Sequence, residues 1–103
     1  MEEKRAKPKF AFMLMGPKYH KELHKACFEM DNKDTYIISV NNFDEACEKA
    51  KELAMQGFGA LELCGAFGEE KTRKLIEITE GKMAIGYVTH FPSEDEKYSK
   101  FFG

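Results

Sequence analysis

The chain has 103 residues, 43% of them hydrophobic and 33% charged, and carries a formal net charge of −2. That length points to one domain, and the balance is globular rather than disordered. Both signs of charge are interspersed, which excludes a basic stripe for nucleic acid and a polybasic membrane patch; the longest apolar run, residues 10–15, is too short to span a bilayer.

Three cysteines, Cys27, Cys47 and Cys64, are an odd number without CxxC spacing, so neither a disulfide framework nor a zinc ribbon is expected. The opening "MEEKRAKPKF" has no apolar core of a secretion signal. The expectation is a soluble, reduced, cytoplasmic protein, with residues 1–9 as a flexible lead-in and 10–103 as a single α/β domain.

"FAFMLMG" (10–16) is continuously apolar and stops at Gly16-Pro17, the pattern of a strand covered on both faces. Residues 17–32 predict a helix: Tyr19, Leu23, Ala26 and Met30 fall on one side, Pro17 suits the first turn, and Asp31-Asn32 suits the end. Phe28 points away from that stripe. "TYIISV" (35–40), β-branched and aromatic, is a strand.

Residues 41–57 carry the clearest helical pattern, with Asn42 and Glu45 spaced as a capping box and Gly57 placed to close the end. "GALELC" (59–64) is a strand. Residues 69–81 follow as a helix with acids in the first turn and Gly81 after the last. "MAIGYVTH" (83–90) is another strand, and Ser93 with Glu96 caps a short terminal helix.

Four strands alternating with helices imply right-handed crossovers. The expected fold is a small three-layer α/β domain on a mainly parallel four-stranded sheet, flavodoxin-like. The alternative is an α+β sheet without the 17–32 helix, in which the first two strands pair differently.

Open parallel sheets bind ligands beyond the carboxyl ends of their strands. Those ends collect Gly16, Asn41, Asn42, Cys64, Gly65, Phe67, Gly68, Thr89 and His90, the candidate ligand-binding set. The turn after Cys64 is neither GxGxxG nor a P-loop, and Glu69 and Glu70 at the positive helix end oppose a phosphate. A neutral or cationic ligand suits it better, and no particular cofactor is indicated.

Three residues are candidates for chemistry. Cys64 becomes a nucleophile if a base reaches it, and His90 ends the next strand. Glu62 shares a strand face with Ala60 and Cys64; under a covered face its carboxylate is desolvated and suits acid–base work, whereas on an open face it is simply solvated or meets a partner subunit. His20, His24 and Cys27 at i, i+4 and i+7 would share a helix side as metal ligands, but "HKELH" displaces the glutamate of HExxH, and no metal is expected. Tyr98, Phe101 and Phe102 at the chain end suit either a subunit interface, making the chain a homo-oligomer such as a dimer, or packing back onto their own sheet.

"SVNNFDEACEKAKELAMQG", "LELCGAFG" and "IGYVTHFPSEDEK", taken in order, resemble a family of short bacterial and archaeal proteins of unknown function. Its members carry a Leu-Cys-Gly-Gly-Phe-Gly turn and a Val-Thr-Tyr-Phe-Pro segment; here Ala66 replaces the second glycine and His90 the tyrosine. The resemblance covers nearly the whole chain from Phe10. It implies a compact α/β domain without a named activity and a site at Cys64, Gly65, Phe67 and Gly68, flanked by Val88, Thr89, Phe91 and Pro92.

Overall fold

A computed structural model describes residues 7–103, so most of the expected 1–9 lead-in lies outside the described residues. Strands β1 (Lys9–Met15), β2 (Ala26–Glu29), β3 (Asp34–Val40), β4 (Ala60–Leu63) and β5 (Ala84–Tyr87) form one 5-stranded sheet in the order β2-β3-β1-β4-β5. Helices α1 (Phe43–Met55), α2 (Gly68–Ile78) and α3 (Asp95–Phe102) accompany them. β1 pairs in parallel with β3 and β4, and β4 with β5, while β2 runs antiparallel to β3. The architecture is α/β with a mixed sheet, not the four-stranded, mainly parallel one expected.

The expected 17–32 helix is absent, as the alternative reading had it. Ala26 and Phe28 sit opposite Ile37 and Thr35, so the period-2 placement of Phe28 prevails over the thin helical stripe. Asp31 and Asn32, expected to end a helix, instead occupy a hairpin turn closed by the Met30 N–H donating to the Lys33 carbonyl at 3.1 Å. Helical character survives only as one turn, where the His24 N–H donates to the His20 carbonyl at 2.8 Å.

That substitution of strand for helix removes a layer. The β3–α1–β4 and β4–α2–β5 crossovers advance in the same direction across the sheet, and right-handedness puts both helices on one face, where they touch. A helix between β1 and β3 would lie on the other face; β2 took its place. The result is two layers rather than three, and the covered face is the core: Ala11, Met13, Ile38, Val40, Leu61 and Leu63 pack beneath Ala46, Ala50, Leu53 and Leu75. The opposite face holds Phe10, Phe12 and Leu14 of β1, each only half-buried, and Glu62, exposed. So no helix covers β1 on that side, although its sequence is apolar on both; only the 20–24 turn reaches over it, where the buried Ser39 hydroxyl, level with Leu14, donates to the His24 carbonyl at 2.7 Å.

α1 begins as its sequence predicts, with Asn42 as N-cap accepting from the Glu45 N–H at 2.9 Å. The Glu45 carboxylate reaches one residue further back than a capping box requires and accepts from the Asn41 N–H at 2.8 Å. Replacing Asn42 by Ala orphans the Glu45 N–H and is expected to lower stability by about 1 kcal/mol in urea denaturation, with Asn42→Ser close to wild type. α2 ends three residues before its expected end because Glu80 and Gly81 turn left-handed, at φ 56° and 68°.

Candidate functional site

The carboxyl ends of the four parallel strands do share one edge. β4 and β5 lie side by side, the Val88 N–H donates to the Leu63 carbonyl at 2.9 Å, and the Cβ position of Gly65 lies 3.6 Å from the Val88 carbonyl. The Cys64 turn and the Thr89–His90 segment are therefore neighbours, and the turns after β1 and β3 extend the same edge.

Several of the candidates there are occupied in holding the chain together. The Asn41 side-chain amide donates to the Pro17 carbonyl at 2.6 Å, which ties the crossover after β1 to the end of β3. The Asn42 side chain is the cap of α1. Gly16 donates its N–H to the Val40 carbonyl at 3.1 Å, and the Tyr19 ring sits 3.1 Å from its Cβ position, so a side chain there would displace the ring. Phe67 is 3% exposed and belongs to the core beside Phe43. Gly68 adopts φ 71°, a left-handed entry to α2 that suits glycine, and its carbonyl accepts from the Thr72 hydroxyl at 2.7 Å.

Cys64 is half-buried, and its Sγ accepts from the Met15 N–H at 3.4 Å, a tie between β4 and β1. The Phe67 N–H donates to the Cys64 carbonyl at 3.1 Å and closes the turn. His90 does not bond to Cys64. Its Nε2 lies 2.8 Å from Asp95 Oδ1, and its ring stacks on Tyr98 with centroids 3.9 Å apart and planes 5° from parallel. The carboxylate accepts from Nε2–H, which leaves Nδ1 as the ring's other polar atom. Thr89, His90, Phe91, Pro92, Glu94 and Tyr98 line a shallow concavity of about 450 Å³.

Asp95 and Tyr98 are the members that sequence reasoning missed. Ser93 was expected to cap the terminal helix with Glu96 as its partner; instead Pro92–Glu94 form a 3-10 turn, neither helix start has a side-chain cap, and α3 begins at Asp95. The turn swings Asp95 and Tyr98 back over His90. The signal available was their placement five and eight residues beyond the histidine, which only that turn converts into contact.

The other candidates lie elsewhere. Glu62 is exposed on the open face of the sheet, its Oε1 3.6 Å from the Cβ position of Gly86, so no second helical layer encloses it. His20 and His24 sit in the single turn, where the His24 Nδ1 accepts from the His20 N–H at 2.9 Å, and Cys27 lies beyond them in β2. Without the helix the three share no side, and no group of three or more His, Cys, Asp or Glu among the described residues could hold a metal. Of the cysteines, Cys47 has its thiol pushed up by burial, with Asp44 adding to the effect. At the mouth of α2, Glu69 accepts from Arg73 at 2.6 Å and raises the guanidinium's pKa further; that pair is neutral, and Glu70 is the acid left at the helix start to oppose an anion.

A family model covers residues 8–103. The chain belongs to DUF6506, a family of unknown function. Membership in DUF6506 agrees with the expectation of an uncharacterised α/β family and adds no activity. No curated protein and no solved structure matches this DUF6506 chain. Among its described residues no helix is long and apolar enough to cross a membrane.

Proposed function

We propose that this DUF6506 chain is a cytoplasmic small-molecule-binding or regulatory module whose ligand sits at the carboxyl edge, in the concavity between Thr89 and Tyr98. The carrying observation is the juxtaposition of that hollow, about 450 Å³, with a histidine held between a carboxylate and an aromatic ring. Ligand sites combine apolar walls with a few fixed polar groups, and here Phe91, Pro92 and Tyr98 are the walls while His90 Nδ1 and Glu94 are the polar groups. Aromatic faces beside Glu94 and Asp95 favour a planar ligand that is neutral or cationic. Binding is favoured over catalysis because His90 bonds to Asp95 and not to Cys64, so nucleophile and base are not joined.

A thermal-shift screen with free nucleobases and cationic aromatic amines tests the reading. At a ligand concentration about a hundredfold above Kd, stabilisation of about 2.7 kcal/mol is expected. His90→Ala and Asp95→Ala should abolish the shift, while Glu62→Gln should keep it. A shift unchanged in both edge variants, or none with either ligand class, would overturn the assignment.

A further inference from the structure

We propose that the open face of the sheet docks a second copy of this chain, with the aromatic stripe of each copy's α3 laid across the β1–β4 face of the other. Two unpartnered surfaces of one molecule carry this. The first is the sheet face that the absent helix would have covered, where Phe12 and Leu14 are half-buried and Phe28 is 56% exposed. The second is α3, which has no buried residue and whose main contacts are with the 3-10 turn before it. Tyr98, Phe101 and Phe102, at i, i+3 and i+4, form one stripe on it and are 43%, 82% and 77% exposed. The packing of these aromatics back onto their own sheet is not what the fold adopts: Tyr98 stacks on His90 and on Phe102, and Phe101 and Phe102 are left to solvent.

Charge and the presence of both surfaces on one chain select a second copy as the occupant. Glu62 is the single charge in the middle of the β1–β4 face, level with Phe12 on one side and Gly86 on the other. Lys97 lies on the shoulder of the α3 stripe, 77% exposed and 3.5 Å from Glu94 one turn back, so an α3 laid on that face lets this cation exchange its solvated pair for Glu62, which has no ion-pair partner among the described residues. Because each copy owns both surfaces, the exchange closes with two-fold symmetry and leaves neither unpaired.

Sedimentation equilibrium on the full-length chain, without added ligand, tests it. At about 100 µM protein, far above a micromolar Kd, the chain should run at twice its mass. Phe12→Glu on the sheet and Phe101→Glu on α3 should each weaken association by roughly tenfold or more, a change of at least one decade in Kd. Glu62→Lys and Lys97→Glu, both at exposed positions, should each weaken it, and the double reversal should restore it. A monomer at that concentration overturns the proposal, and so does a dimer indifferent to Phe12→Glu or Glu62→Lys. So does a double reversal no tighter than the single variants. Circular dichroism of each variant separates lost association from lost fold.

Discussion

Phe67→Ala is expected to cost about 3–5 kcal/mol, the penalty for deleting a buried aromatic and leaving a cavity behind. Phe67 stands in the Cys64–Gly68 turn, the place that most resembles a binding loop, yet it is 3% exposed and meets Phe43 edge to face at 6.5 Å. It is the plug beneath the first turn of α2, joining that helix to α1. Stabilities of small domains lie at about 5–15 kcal/mol, so the variant should retain little margin. Urea denaturation gives the value directly, and a thermal scan should show the midpoint falling by about 4–8 °C per kcal/mol. A loss under about 1 kcal/mol would mean that the ring contributes little to the core and is free to face a ligand.

Leu61 and Glu62 are consecutive in β4, and their alanine variants should differ by several kcal/mol. Leu61 is fully buried against the helical layer, whereas Glu62 points to the face without one. Leu61→Ala should cost about 2–5 kcal/mol through lost burial and an unfilled cavity. Glu62→Ala, measured in dilute protein where association is absent, should stay within about 0.5 kcal/mol of wild type, as surface changes do. Equal losses at the two positions would show that both faces of the sheet are enclosed. The pair therefore tests the two-layer architecture itself, with neighbouring residues as each other's control.

Much of this was legible in the order of residues. The Asn42 cap, the apolar stripe through Ala46, Ala50 and Leu53, and the left-handed Gly57 and Gly81 each act within one or two turns of chain, and local physics placed α1 and α2, with ends a few residues short of those expected. The strands around Met13, Ile38, Leu61 and Ile85 were equally plain, because β-branched and apolar runs between turn residues have few alternatives. That they share a carboxyl edge followed from the strands running parallel.

Residues 17–32 show where local reasoning fails. Their apolar spacing fits a helix and a hairpin almost equally, and Asp31-Asn32 ends either one. What decided between them was β3, whose free edge offered Ala26–Glu29 a ladder of backbone partners that no residue inside the segment reveals. The whole second face follows from that one choice. His90 likewise reads as a base for Cys64 until the Pro92 turn folds Asp95 and Tyr98 over it. Sequence by itself determined the α/β class, much of the core and the edge where the carboxyl ends of the strands gather, since periodicity and capping are local. Only the tertiary structure decided that the sheet carries one helical layer and not two, because which strand pairs with which, and which face stays open, depends on contacts between residues far apart in the chain.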